Sequence, residues 1–223
     1  MSIEFTKPSE IERTSLSIIR RELSEMGIVV PEERQAVVLR VIHATADFEY
    51  AGSLSFSEHA VRNGIAALAG GADIVTDTNM AKAGISKAGL SKLGGEVFCY
   101  MADPEVAEAA REAGTTRAVA SIRHAVKMNP GSIFAVGNAP TALLELEAQM
   151  EKGFRPALII GVPVGFVNVV EAKERILACS KRFGVPAIVA RGRKGGSTVA
   201  AAIANALIYS AADMLDPVQR GWN

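Results

Sequence analysis

The sequence predicts an α/β fold with a doubly wound, mostly parallel sheet of about five strands and helices on both faces. Three units in the second half of the chain indicate this fold, because each joins a short apolar run, a glycine-bearing polar turn and a helix. The apolar runs are Ser132–Val136, Ala157–Ile160 and Ala187–Ala190. Each is too short for a helix and apolar on both faces, as is typical of a strand that helices cover from both sides. Parallel strands end at one edge of their sheet, so functional residues are expected in the turns that follow.

The elements before these units extend the same pattern. An N-terminal helical extension begins after Pro8, a second helix begins at Pro31, and a third starts with Ser57 as its expected cap. Two further apolar runs predict strands, which are Ala72–Val75 and Glu96–Tyr100. Additional helices are expected over Thr78–Ala83, Pro104–Ala113 and Thr116–Met128. We interpret residues 1–223 as a single domain, because no long linker or repeat interrupts this alternation.

Composition argues against several classes of partner. Basic and acidic residues both number 24, so the formal net charge is zero and neither nucleic acid nor a membrane surface is an expected partner. Residues 1–10 lack the apolar stretch of a signal peptide, and the protein is expected to be cytoplasmic. The three histidines are scattered and no acidic pair has a ligand-like spacing, so no protein-bound metal is expected.

The second predicted helix carries a histidine beside charged groups. At helical spacing, Arg40, His43 and Asp47 fall on one flank, away from an apolar stripe that includes Val37 and Val41. Histidine exchanges a proton near neutral pH. Arg40 is placed to hold a carboxylate, and Asp47 is placed to orient the imidazole or raise its pKa. The same pattern also fits a surface histidine beside a solvated charge pair, which the spacing alone favours.

The last of the three turns, residues 191–197, combines three cations with a glycine-rich helix start. Amide groups at a helix N-terminus bind carboxylate or phosphate, and glycines allow close approach. The anion-binding candidates are Arg191, Lys194, Gly195, Gly196 and Ser197. Ser197 or Thr198 is expected to cap the helix, and the order of residues differs from that of a Walker A loop. The alternative interpretation is a capped helix behind exposed basic residues.

Other turns at the predicted sheet edge carry weaker candidates. Thr76 and Asp77 end a strand, and Asp77 is expected either to contact a ligand or to cap the next helix. Asn138 is the expected cap of a helix that begins at Pro140, and it also points toward the ligand edge. Arg117 lies at the start of its helix, where a cation opposes the helix dipole, which favours a role in binding an anion.

Several of these segments together resemble the precorrin-8 methylmutase family of cobalamin biosynthesis. The resemblance extends from about Ile11 to Tyr209. It rests on five motifs in order: Ile11–Ser15, Arg40–Asp47, Gly137–Leu143, Gly161–Val167 and Gly192–Ser197. The resemblance implies an isomerase that moves a methyl group from carbon 11 to carbon 12 of a contracted tetrapyrrole. The product would be hydrogenobyrinate or its cobalt counterpart, with no external methyl donor.

By motif position, the resemblance gives His43 the acid–base role and makes Ser15 and Arg40 substrate contacts. It implies no cofactor, since any cobalt belongs to the substrate, and it implies a homodimer with pockets near the subunit interface. Such a substrate has acetate and propionate carboxylates, which suit the cationic candidates above. The motifs Ala44–Asp47 and Tyr100–Pro104 look more like the early-cobalt branch, which favours cobalt-precorrin-8.

Two other functions stay open from the sequence. One is a noncatalytic corrinoid carrier that hands the product to the next pathway enzyme. The other is an enzyme that binds a phosphate ligand in the turn that contains Arg191. Turnover by catalytic amounts of protein would exclude the carrier, and a nucleotide titration would test the phosphate ligand.

Overall fold

The computed structural model describes residues 7–221, in which a six-stranded sheet lies between two layers of helices. The strands are β1 Leu54–Phe56, β2 Ile74–Thr76, β3 Val97–Phe98, β4 Ile133–Val136, β5 Leu158–Gly161 and β6 Ala187–Ala190. Their order across the sheet is β1-β6-β5-β4-β2-β3. Strand β1 runs antiparallel to β6, and the other neighbours pair in parallel. The predicted fold class is confirmed.

The helices are α1 Pro8–Glu25, α2 Glu32–Thr45, α3 Tyr50–Ser53, α4 Ala60–Ala69, α5 Asn79–Gly84, α6 Lys87–Lys92, α7 Pro104–Glu112, α8 Arg117–Met128, α9 Pro140–Glu151, α10 Val169–Phe183 and α11 Ser197–Ala211. A short C-terminal turn, Pro217–Arg220, follows. Among residues 7–221, no helix has the length and apolar character needed to span a bilayer.

Each strand sends alternate side chains to the two faces of the sheet. In β4, Ile133 and Ala135 pack with α2, α4 and α11, whereas Phe134 and Val136 pack with α8, α9 and α10. All four residues are at most 1% exposed, which is why the run reads as apolar throughout. Helix α1 packs on the outside of α2 and forms the predicted N-terminal extension.

The edge strand β1 is a sixth strand that the sequence does not predict, and it changes the role of Ser57. Ser57 Oγ accepts a hydrogen bond from Ala187 N at 2.8 Å, and Ser57 N donates to Ala187 O at 2.9 Å. The residue therefore extends the pairing of β1 with β6. Helix α4 begins at Ala60 without a side-chain cap, so the expected Ser57 cap is wrong.

The turns at the carboxyl edge of the sheet are in close backbone contact. A Cβ atom on Gly195 would lie 2.1 Å from Val162 O, and one on Gly137 would lie 2.8 Å from Ser197 Cα. Gly196 N donates a hydrogen bond to Val162 O at 2.8 Å. These contacts fix the start of α11 against the turns after β4 and β5. Helix α2 packs along α11 and ends beside this edge.

Candidate active site

Helix α2 places His43 in its last turn beside an open cleft. Val37 and Val41 bury one face of α2 in the core that α11 shares. Arg40 and His43 line a cleft of about 340 Å³ that also involves α5 and the start of α11. Other residues that line it include Met80, Ser197, Thr198 and Asn205. His43 thus faces a space that three helices enclose.

His43 also lines a second hollow of about 210 Å³, between α1 and the end of α2. Ser15 and Ile18 of α1 and Phe48 belong to its walls. The exposed imidazole therefore lies where the two hollows meet. The structure thus brings the predicted residues Ser15, Arg40 and His43 together around one position.

A buried carboxylate holds Arg40 at the edge of the cleft. Arg40 Nη2 donates to Glu12 Oε1 at 2.8 Å, and Arg220 Nη2 donates to the same oxygen at 2.6 Å. The Arg40 guanidinium also lies 5.2 Å from the centre of the Tyr209 ring, within the range of a cation–π contact. Arg40 thus holds the carboxylate of Glu12, and its contact with a substrate carboxylate stays a prediction.

The surroundings of His43 lower its pKa. The main cause is partial desolvation of the ring by the surrounding protein, which disfavours its charged form, and Arg40 adds electrostatic repulsion that Glu12 partly offsets. The imidazole is therefore mostly neutral near pH 7 and is able to accept a proton. A nearby negative charge that neutralises Arg40 would raise the proton affinity of His43 again.

Asp47 does not orient the imidazole, contrary to the sequence-based expectation. Helix α2 ends at Thr45, and Ala46 adopts a left-handed conformation with φ of 53° that takes the chain out of the helix. Asp47 Oδ2 accepts a hydrogen bond from Lys194 Nζ at 2.6 Å, which lowers the pKa of Asp47. Lys194 Nζ lies 2.8 Å from Glu49 as well. Helical spacing fails here because Asp47 lies beyond the helix.

The cations of the turn between β6 and α11 are largely engaged. Arg191 donates two hydrogen bonds to Glu174, at 2.8 and 2.9 Å, and lines a different groove from His43. Lys173 of α10 is fully buried beneath this turn and donates to the carbonyl oxygens of Gly192 and Lys194 at 2.9 and 2.8 Å. Burial lowers the pKa of Lys173 to about 8. Lys173 therefore fixes the turn from below.

The start of α11 differs from the predicted arrangement. Its cap position is Gly196, with no hydrogen bond from a side chain, so neither Ser197 nor Thr198 caps the helix. Ser197 Oγ instead lies 2.7 Å from Thr78 Oγ1, and this contact links α11 to the turn after β2. The Gly196 amide already donates a hydrogen bond to the turn after β5. Gly195 packs against the backbone of the same turn, where a Cβ atom would not fit.

Thr78, through its side chain, is the cap of the next helix, α5, so the expectation that Asp77 caps it is wrong. Asp77 binds the turn before α9 instead. Its carboxylate accepts hydrogen bonds from Gly137 N, Asn138 N and Ala139 N at 2.7–2.8 Å. Burial raises the pKa of Asp77, although the three amides favour its charged form. The expected cap from Asn138 is wrong, since the helix uses Ala139 without a side-chain bond.

The remaining candidates lie apart from the cleft around His43. Thr76 is buried, and its Oγ1 lies 3.0 Å from Thr78 O and 3.2 Å from Phe98 O. The Asn138 side chain is exposed at the sheet edge, and Arg117 is exposed in the first turn of α8. Neither lines a hollow that contains His43.

The geometry joins a titratable imidazole, a cation and a helix start at one cleft, and comparison with known proteins identifies the family. A sequence model of the precorrin-8X methylmutase family matches residues 10–210. The chain belongs to the precorrin-8X methylmutase family. It is therefore an isomerase of cobalamin biosynthesis, a methylmutase that transfers a methyl group within one molecule.

Individual relatives agree with the family. The chain is 43% identical over 202 residues to the cobalt-precorrin-8 methylmutase of Priestia megaterium, covering 90% of this chain and 87% of that protein. It is 40% identical over 198 residues to the precorrin-8X methylmutase of Pseudomonas aeruginosa, covering 88% and 93%. The crystal structure of the precorrin-8X methylmutase from Thermus thermophilus matches with a TM-score of 0.81 at 43% identity, covering 91% of this chain and 98% of that one.

Sequence reasoning missed several residues of the candidate site. Met80 and Asn205 line the cleft, and Glu12 and Arg220 hold Arg40 in place. Glu12 lies within the Ile11–Ser15 motif, one turn before Ser15, and that spacing was an available signal. No local signal marks Arg220. Within residues 7–221, no cluster of three metal-binding side chains is found.

Proposed function

We propose that this methylmutase converts cobalt-precorrin-8 to the cobalt form of hydrogenobyrinate by moving a methyl group from carbon 11 to carbon 12. The observation that carries the proposal is the position of His43, which lines both hollows beside Arg40 and Ser15. The names of relatives such as the Priestia megaterium protein favour the cobalt-containing substrate. The cobalt belongs to the substrate, and the proposal needs no cofactor.

In this proposal His43 is the acid–base residue. The reaction is an isomerisation, so the bond from the methyl group to carbon 11 breaks, a bond to carbon 12 forms, and no atom is gained or lost. A proton or hydrogen bond from the imidazole polarises the conjugated ring and lowers the barrier to the shift. The proton returns to His43 when the new bond is complete.

The charges around His43 support the same role. Arg40 helps to keep the imidazole neutral. A substrate carboxylate on Arg40 cancels that repulsion, so the pKa of His43 rises when the substrate binds. A larger fraction of the imidazole then carries a proton that it is able to donate once the ring is in place. The first-turn amides of α11, at Ser197 and Thr198, offer a second contact for a carboxylate.

A homodimer with its sites near the subunit interface is part of the proposal. The cleft of about 340 Å³ is at the small end of ligand sites, which span about 300–1,000 Å³, whereas a tetrapyrrole is a large ligand. Exposed apolar side chains lie near the hollows, including Ile18 on α1 and Met80 on α5. A second protomer would cover such surfaces. Light scattering tests this arrangement, and a monomer that turns over substrate would contradict it.

Turnover by the purified protein is the direct test of the function. Catalytic amounts of protein are mixed with cobalt-precorrin-8, and separately with the cobalt-free substrate, while the absorption spectrum is followed. We expect many turnovers per protein molecule, with the cobalt form preferred. Tight binding without turnover would instead favour the corrinoid carrier, which hands its ligand to the next enzyme. Binding of a nucleotide without binding of a corrinoid would favour the phosphate-ligand alternative.

A further inference from the structure

Glu12 is the centre of a buried cluster with two arginines. The carboxylate is 3% exposed, and a single oxygen, Oε1, accepts hydrogen bonds from Arg40 and Arg220. Both guanidinium groups also contact the Tyr209 ring, at 5.2 and 4.5 Å from its centre. Burial disfavours the charged carboxylate, but the two arginines hold the pKa of Glu12 below its usual value. Glu12 therefore stays charged between two guanidinium groups.

The two arginines come from different parts of the chain and face different surroundings. Arg40 lines the cleft beside His43, and its side chain is 14% exposed. Arg220 lies behind Glu12, with a side chain that is only 6% exposed. It belongs to the C-terminal turn, which a pair between Arg13 and Asp216 also ties to α1. Arg220 lies beyond residues 10–210, so membership of the family assigns it no role.

We propose that Arg220 is a positioning residue that shares Glu12 with Arg40 and so leaves Arg40 able to bind a carboxylate of the ligand. The inference rests on the proposed function, because it takes the corrinoid acid as that ligand. Arg220 supplies a full positive charge to Glu12. Among the described residues, Arg40 makes one hydrogen bond, through Nη2, so its remaining N–H groups stay available to the cleft.

The electrostatic reason is the cost of an unpaired buried charge. If Arg40 were the only partner of Glu12, turning toward a ligand would leave a buried carboxylate without compensation. With Arg220 in place, Glu12 keeps a partner at 2.6 Å whichever way Arg40 points. Arg40, which lines the cleft, is then the group that attracts an anion to the position beside His43.

Binding of hydrogenobyrinic acid to charge variants of Arg220 tests the proposal. We expect Arg220→Met to raise Kd and KM about tenfold, the effect of one weakened charge-assisted contact, while kcat changes little. Arg220→Lys, which keeps the charge, should restore most of the affinity. Arg13→Met is the matched control, because it loosens the same C-terminal turn without touching Glu12. Its Kd should equal that of the wild type.

A double variant separates the charge effect from a structural one. Glu12→Gln combined with Arg220→Met removes the carboxylate that would otherwise retain Arg40, so its Kd should return to within about threefold of the wild type. Circular dichroism checks each fold, and Arg220→Gln replaces Arg220→Met if the latter does not fold. A purely structural role predicts no recovery in the double variant.

The outcomes distinguish this inference from the proposed function. A wild-type protein that binds no corrinoid acid overturns the proposed function and this inference with it. A wild-type protein that binds, with unchanged affinity after Arg220→Met, overturns this inference alone. Equal losses in Arg220→Met and Arg13→Met also overturn it.

Discussion

The cleft around His43 and the turn between β6 and α11 both carry cations near the carboxyl edge of the sheet, but they use them differently. In the cleft, Arg40 shares the carboxylate of Glu12 with Arg220, and among the described residues Arg40 makes one hydrogen bond. In the turn, Arg191 is paired with the carboxylate of Glu174, and Lys194 is paired with two carboxylates, those of Asp47 and Glu49. The difference teaches that the number of cations in a motif does not indicate how many are free to bind an anion.

Partners that are distant in sequence decide this availability. Glu12 and Arg220 are 208 residues apart, and Asp47 and Lys194 are 147 residues apart. The cationic turn is the more conspicuous anion-binding candidate in the sequence, whereas in the structure the cleft has the cation that is more available to a ligand. The following predictions contrast the two regions, beginning with the largest expected effect.

Replacing the histidine of the cleft should remove most of the catalysis. We expect His43→Asn to lower kcat by about 100- to 10,000-fold, the usual contribution of general acid–base catalysis, with Kd for hydrogenobyrinic acid little changed. His59→Asn is the matched control, because His59 is exposed and lines the groove beside Arg191. Its kcat should equal that of the wild type. If kcat of His43→Asn stayed within tenfold of the wild-type value, His43 would not be the acid–base residue of the reaction.

The turn should reveal its structural role through the pH dependence of stability. Lys173 loses its proton near pH 8 in the folded state, in place of a usual value near 10.5, because it is buried. Between these values the unfolded chain binds more protons, so raising the pH favours the folded state. We expect this group to add about 2 kcal/mol to the free energy of unfolding between pH 7 and 9.5.

Urea unfolding of the wild type and of Lys173→Met measures that contribution. The wild type should gain stability relative to the variant as the pH rises from 7 to 9.5. Parallel curves for the two proteins would mean that the pKa of Lys173 is not lowered in the folded state.

Paired removal of one arginine from each region tests the comparison directly. Arg40→Met should weaken corrinoid binding about tenfold, the value of one lost hydrogen bond between charged groups. Arg191→Met should weaken it less than about twofold, because its guanidinium is exposed and already paired with Glu174. Titration of both variants with hydrogenobyrinic acid gives the two Kd values and their ratio. A larger loss from Arg191→Met would reverse the assignment of the anion site.

The smallest effect is expected for Lys194→Met. Lys194 is about half exposed, and its pairs with Asp47 and Glu49 lie at the surface, where ion pairs contribute little. The thermal midpoint should stay within about 2 °C of the wild type, and Kd within about twofold. A tenfold rise in Kd would show that Lys194 breaks its ion pair with Asp47 and binds the ligand instead.

The sequence predicts the central strands of the sheet because both faces of those strands are buried. Ile133–Val136 and Ala187–Ala190 are continuous apolar runs for this reason. Strand β1 escapes prediction because Leu54–Phe56 has three residues, of which two are only partly buried. Its existence depends on pairing with β6, a contact across more than 130 residues that no local pattern encodes.

The residues of the candidate site likewise divide into those that the sequence predicts and those that depend on distant partners. Local motifs predict Ser15, Arg40 and His43, which the structure brings together. The turn before α9 shows the opposite case, since Asp77 binds its amides from about sixty residues away, whereas the adjacent Asn138 does not cap the helix. Where a backbone group or charge takes its partner from another strand or chain end, sequence spacing carries no information about it.

A structure of the protein bound to hydrogenobyrinic acid is the most direct test of the central claim, that the cleft and not the turn holds the reacting ring. We expect the His43 imidazole within about 3.5 Å of the macrocycle, or joined to it through one water, with a ligand carboxylate on Arg40. A ring seated in the groove beside Arg191, with His43 directed away from it, would contradict the account.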